Sequence, residues 1–182
     1  QRFEAYTEED HETWSILYAR RMTRLREDGS RVFLRGAEKI GLARDRVPDL
    51  NDVNRRLAGL TGWQAIPVTG FVPAREFFGC LAQQRFPTTI ILRSRAQLDY
   101  LEEPDIFHDV FGHVPLHADP VFADFLQRFG EVGASAESNE NVTRMARLFW
   151  FTVEFGLIRD PEEIRIFGAG VNSSKDEVLH AL

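Results

Sequence analysis

A mainly α-helical single domain with a few short β-strands is the fold class this sequence predicts, on three observations. Apolar residues recur at helical spacing through most of the chain, the β-rich runs are short and bounded by Gly or Pro, and no repeat or low-complexity linker divides the 182 residues. At 43% hydrophobic and 27% charged, a chain of this length closes one core and has little room for a second.

Thr7 and the acids after it signal the first helix, which Trp14, Ile16, Leu17, Ala19, Met22 and Leu25 carry from Glu8 to Arg26, ahead of Asp28-Gly29-Ser30. Val32 to Leu42 reads as a second, short helix. Asp49 or Asn51 caps a third through Val53, Leu57 and Leu60, which stops at Thr61-Gly62. Trp63 to Val68 is apolar, lies between Gly62 and the turn Thr69-Gly70, and suits a strand. Pro73 is placed as the first residue of a helix through Phe77, Phe78, Leu81 and Ala82. Phe86 to Leu92 holds Thr88, Thr89, Ile90 and Ile91 and reads as a second strand. A helix begins around Pro104 and runs over Asp105 to Phe111, where Gly112 breaks it. Further helices are predicted at Asp119 to Phe129 and Asn139 to Gly156, and Ile164 to Phe167 is a strand closed by Gly168-Ala169-Gly170.

Composition narrows the function classes. Twenty-two basic against 28 acidic side chains give a net charge of −6, which does not supply the electropositive face that a nucleic acid requires. No apolar run approaches the roughly 20 residues that span a bilayer, and Gln1-Arg2-Phe3-Glu4 is no signal peptide, so the expected setting is the cytoplasm with no membrane partner. The lone cysteine, Cys80, allows neither an intrachain disulfide nor a thiolate cluster; a metal here would be held by nitrogen and oxygen. Fifteen Phe against three Tyr and three Trp leave two readings open, a ring-rich core or a pocket lined for an aromatic ligand.

The chemistry concentrates in His108-Asp-Val-Phe-Gly-His113. On a regular α-helix five residues advance about 500°, which leaves the two imidazoles roughly 140° apart and unable to share one ion. A break at Gly112, with Pro115 preventing resumption, would let His113 swing back toward His108. The same spacing also fits one helix-capping and one surface histidine. The zinc-protease pattern is absent, because Asp109 and not Glu follows His108. A third ligand is found in Glu154, the only charged residue in the apolar run from Leu148 to Leu157; a carboxylate there needs water or a cation beside it. Two imidazoles and a carboxylate form the facial triad of non-haem Fe(II) oxygenases, and also serve catalytic Zn(II). The aromatic surroundings favour iron chemistry in a dry pocket over hydrolysis.

Three separated motifs carry a resemblance: Tyr100 to Leu116 around the two histidines, Trp150-Phe-Thr-Val-Glu154-Phe-Gly-Leu157, and Phe167-Gly-Ala-Gly170-Val-Asn-Ser173-Ser174. Together they resemble the pterin-dependent aromatic amino acid hydroxylases, bacterial phenylalanine hydroxylases most, and the likeness runs from the Thr7 helix to Leu182. It implies that family's single-domain catalytic fold, Fe(II), a tetrahydropterin (tetrahydrobiopterin or a bacterial analogue), O2 as co-substrate, and ring hydroxylation of L-phenylalanine to L-tyrosine; a monomer is the expected state, which the sequence itself does not fix. It further implies that the family continues several dozen residues past Leu182 and that no regulatory domain precedes Gln1.

Position by position, the resemblance puts His108, His113 and Glu154 on the iron, and Asp105 on a carboxylate that orients an iron histidine; Asp105 also suits a helix cap beside Pro104. Arg93 matches an arginine that clamps the substrate carboxylate, although alone it reads as a strand-end surface cation. Leu101, Pro104 and Trp150 fall at the substrate ring, Gly170 and Ser173 at the amino acid backbone. For the pterin, Phe77 matches a stacking ring, Gly70 and Val72 a loop with backbone hydrogen bonds, and Asp109 an acidic neighbour. Read alone, Phe77 and Trp150 are ordinary core and Ser173 an ordinary cap. The sequence departs from family habit at Leu101, Phe149, Phe167 and Asn172, none of which removes a ligand. Trp150 favours phenylalanine over tryptophan, with tryptophan 5-hydroxylation, phenylalanine 3-hydroxylation or a non-catalytic metal-binding helical protein as alternatives. Gly168-Ala169-Gly170 lacks the context of a dinucleotide loop. Asn141-Val-Thr143 fits a glycosylation pattern without a secretion signal. His117, four residues after His113 and across Pro115, is expected at the surface.

Overall fold

A computed structural model describes residues 1–99, 103–160, 163–175 and 177. Leu101, one of the residues expected at the substrate, lies outside them. Helix α1 spans Glu8–Asp28 and starts in a capping box: the Asp10 N–H donates to Thr7 Oγ1 at 3.2 Å, and the Thr7 N–H donates to the Asp10 carboxylate at 2.8 Å. Its buried stripe is Trp14, Leu17, Arg21 and Leu25, so one of the inward positions holds a guanidinium. Helix α2, Arg31–Lys39, is capped by Ser30, and α3, Leu50–Leu60, by Asp49, which decides between the two candidate caps.

Strands β1 (Gln64–Val68) and β2 (Arg85–Thr89) pair in parallel, Gln64 opposite Arg85 and Val68 opposite Thr89, with α4 (Ala74–Ala82) between them in sequence. The ladder stops at Thr89, short of the expected Leu92, because β1 ends at the Thr69-Gly70 turn and offers no further partner. Pro73 is the N-cap of α4 and not its first residue, since its ψ of 143° is extended. Helix α5, Pro120–Ala134, is capped by Asp119 and packs on α4.

Two segments wind more loosely than an α-helix. Phe107–His113 is a π-helix followed by a 3-10 segment, Val114–Ala118, and α6 (Asn139–Phe149) passes directly into a π-helical turn at Trp150–Glu154. The expected break at Gly112 is therefore corrected: the helix continues through it. Gly112 is required for another reason, because a Cβ there would meet the Ala169 carbonyl oxygen at 2.9 Å, where α7 (Ala169–Ser173) crosses. Strands β3 (Leu157–Asp160) and β4 (Glu163–Ile166) form an antiparallel pair. The long apolar run into Gly156 hid β3 from the sequence, since its strand character comes from pairing with β4.

The aromatic core gathers behind the π-helix. Phe107 and Phe111 stack at 4.6 Å between ring centroids, Trp14 meets Phe107 edge-on at 5.2 Å, and Phe33 meets Phe111 at 5.6 Å. All four rings are fully buried, each contributing about 2–3 kcal/mol of apolar burial. They fix one wall of the segment that carries both motif histidines.

Candidate metal centre

Winding i to i+5 places side chains five apart on one face, so the π-helix itself brings His108 and His113 together. Their ring centroids are 5.1 Å apart. The π-turn at the end of α6 delivers the third group: Glu154 Oε1 lies 3.0 Å from His113 Nε2, and Oε2 lies 3.6 Å from His108 Nε2. One donor atom from each of the three lies within 4.8 Å of the others. A single cation between them would meet two imidazole nitrogens and one carboxylate oxygen.

The tautomer of His108 is set from behind. Ser173 Oγ donates to the Ala169 carbonyl at 2.8 Å and so presents its lone pairs to His108 Nδ1, 2.9 Å away. The His108 proton then sits on Nδ1, and Nε2 faces Glu154 unprotonated, as a ligand must. His113 is held by Phe86, 4.8 Å away, and Phe149, stacked at 6.1 Å.

The charges agree with a site built for a cation. Burial alone would raise the Glu154 carboxyl; the His113 charge and hydrogen bond, the His108 charge and the Gly170 N–H outweigh it and hold the group at about 2. Burial pushes His108 down, against the pull of Glu154. Burial also opposes charge on His113, but there the hydrogen-bonded Glu154 prevails and raises it. A metal ion would replace the proton that His113 and Glu154 otherwise favour.

Asp105 is 2% exposed and stands beside His108 as a helix cap. Its Oδ1 accepts the His108 backbone N–H at 3.0 Å, which caps the helix start and fixes the residue without touching the imidazole. The same carboxylate takes a bidentate pair from Arg93, Nε at 2.8 Å and Nη2 at 3.0 Å. Arg93 is thus no surface cation. It is largely buried, with its guanidinium 5.8 Å from the Phe107 centroid.

Asp109 is buried too, with its Oδ2 accepting the Thr89 N–H at 2.6 Å, which ties the π-helix to the end of β2. Burial raises its carboxyl, opposed chiefly by His108. Gly170 is a close approach: a Cβ there would meet the Phe155 ring at 2.9 Å and the Glu154 carbonyl at 3.0 Å. Phe77 is half-buried and reaches the histidines through Phe149, at 5.3 Å, and Phe86, at 5.9 Å. Gly70 and Val72 lie in the loop between β1 and α4. Pro104 is exposed, and Trp150, at 56% exposure, is not the core residue its apolar run suggests; its ring packs on Phe155 at 4.7 Å.

His117 overturns its sequence reading. It is 1% exposed, its Nδ1 donates to the His113 carbonyl at 3.0 Å, and its ring lies 4.7 Å from Trp63 and 4.9 Å from Phe86. The 3-10 winding after His113 turns it inward, and burial lowers its pKa to about 3. Sequence reasoning also missed Phe86, Thr89 and Arg21; only Arg21, spaced by four from Leu17 and Leu25, left a visible signal.

The profile of a family described as biopterin-dependent aromatic amino acid hydroxylase matches residues 3–182. The chain belongs to this family. It is 47% identical over 182 residues to the phenylalanine-4-hydroxylase of Chromobacterium violaceum, covering all of this chain and 61% of that one. The crystal structure of the Chromobacterium violaceum phenylalanine hydroxylase bound to cobalt superposes with a TM-score of 0.96 at 47% identity, covering 100% of this chain and 66% of that one. Another, with bound iron(III) and oxidized cofactor 7,8-dihydrobiopterin, gives 0.95 at 48% identity, covering 98% and 65%. The chain thus spans about three fifths of the length of these family members. Among the described residues, no helix is long and apolar enough to cross a membrane.

Proposed function

We propose that the chain carries the metal and pterin site of a phenylalanine hydroxylase, converting L-phenylalanine to L-tyrosine with O2. The observation that carries this reading is the convergence of His108, His113 and Glu154 behind two π-helical segments, in a chain with family membership throughout. Two neutral imidazoles and one carboxylate suit a ferrous ion and leave further coordination positions open. Bound there, Fe(II) with a tetrahydropterin supplies the oxygen-activating chemistry.

The protein's own residues do the rest. Ser173 keeps the His108 proton on Nδ1, and Asp105 fixes the His108 backbone. Phe86 and Phe149 keep water from the His113 side. Arg93, anchored through Nε and Nη2, offers its remaining Nη1 edge to the carboxylate of the amino acid. Pro104, Trp150 and Gly170 are proposed to bound the substrate, and Phe77, with the Gly70 and Val72 loop and Asp109, to hold the pterin. The zinc-hydrolase alternative is disfavoured by the same surroundings, because the rings at His113 supply no general base for water.

The test is turnover of iron-loaded protein with tetrahydropterin, O2 and L-phenylalanine. Tyrosine formed in step with pterin oxidation is expected. Iron uptake without any amino acid hydroxylation overturns the reading, and 3-hydroxyphenylalanine or a hydroxytryptophan as the main product corrects its substrate or position.

A further inference from the structure

Arg21 is the one charged side chain on the buried stripe of α1, between Leu17 and Leu25, and it is 5% exposed. A cation so placed is costly unless its donors are satisfied. Among the described residues it pairs with no carboxylate. Its Nε donates to the Asn172 carbonyl at 2.8 Å and its Nη2 to the Val171 carbonyl at 3.1 Å, across 150 residues of sequence.

Those carbonyls belong to the C-terminal end of α7, where a helix has acceptors without intrahelical donors and carries partial negative charge. Five residues are far too few to hold a helix by propensity. Helix α7 is held at both ends by buried polar groups: the fully buried Asn172 side chain donates to the Phe167 carbonyl at 3.0 Å at its entry, and Arg21 takes its exit. Ser173, the last residue of α7, directly follows the clamped Asn172, and its hydroxyl meets His108 Nδ1. Burial lowers the Arg21 pKa to about 10, which leaves it a cation at neutral pH.

We propose that Arg21 is a positioning residue for the metal site: by clamping the last carbonyls of α7 it holds Ser173 against His108 and so sets the tautomer and aim of a ligand it never touches. This rests on the reading of His108, His113 and Glu154 as the metal ligands.

Titration of Co(II) into the metal-free protein, followed by its visible absorption, tests the proposal in wild type, Arg21→Met, Ser173→Ala and the double variant. Met suits the apolar stripe, and far-UV circular dichroism reports whether the fold is kept. Each single variant is expected to bind Co(II) about tenfold more weakly with an altered visible band, and the double variant no more weakly than Ser173→Ala alone. Arg21→Lys, which reaches one carbonyl and not two, should fall between Arg21→Met and wild type, and serves in the same cycle if Arg21→Met does not fold. Wild-type affinity and spectrum in the Arg21 variants, or losses that multiply in the double variant, overturn the proposal. Wild-type protein that takes up no Co(II) overturns the metal reading and this inference with it, whereas wild-type uptake with unmoved variants overturns the inference alone.

Discussion

Ser173 Oγ stands 2.9 Å from His108 Nδ1, and its own proton is committed to the Ala169 carbonyl 2.8 Å away. The hydroxyl can therefore only accept from the imidazole, which leaves His108 Nε2 as a lone-pair donor toward Glu154. Ser173→Ala removes this constraint while leaving the three ligand side chains in place. Its Fe(II) affinity should fall about 10- to 100-fold, measured by anaerobic equilibrium dialysis, with the far-UV spectrum unchanged.

Gly112 holds α7 against the π-helix. In Gly112→Ala the new Cβ meets Ala169 backbone oxygen at 2.9 Å and Ala169 Cβ at 3.2 Å, neither of them the end of a flexible side chain. The variant should lose about 1–3 kcal/mol of stability, read from urea denaturation, and should bind Fe(II) more weakly because Ser173 is displaced with α7.

Most of the fold was legible because its signals are local. Thr7 with its acids and Asp49 cap the helices they signal, and the paired strands β1 and β2 sit between turn residues visible in the sequence, whereas the caps Ser30 and Asp119 were not read as such. The grouping of His108, His113 and Glu154 was suggested by spacing and by the lone charge at Glu154, but the means of its assembly was not. Helical arithmetic shows that His108 and His113 cannot share an α-helical face, yet a break and a wider winding satisfy it equally; the structure has the wider winding, with α7 crossing close at Gly112. His117 was misread because local polarity says nothing about the 3-10 turn that buries it.

His117 makes acid stability readable. Buried and unprotonated down to about pH 3, it gains a proton in the unfolded chain below about 6.5. The folded pKa lies below the unfolded one for a base, so its contribution is intact above pH 6.5 and is lost as pH falls toward 3. Each pH unit in that window should remove about 1.4 kcal/mol through this group. Urea midpoints at pH 7, 6 and 5, compared between wild type and His117→Leu, check it; equal slopes in the two proteins contradict it.

Asp105 is the anionic partner of a largely buried guanidinium. Asp105→Asn keeps the shape, leaves the Arg93 charge without compensation, and should destabilise the fold by about 3 kcal/mol. Thermal denaturation measures this loss. Asp105→Asn combined with Arg93→Met, which removes the uncompensated charge, should recover part of the stability while failing to bind L-phenylalanine in calorimetry.

The convergence of two histidines and a glutamate on one cation is tested most directly by counting the Fe(II) retained per chain after anaerobic dialysis of wild type, His108→Ala and Glu154→Gln. One iron per wild-type chain and essentially none in either variant is the predicted result. Full retention in either variant, with the fold intact, would contradict the assignment of these side chains as the metal ligands.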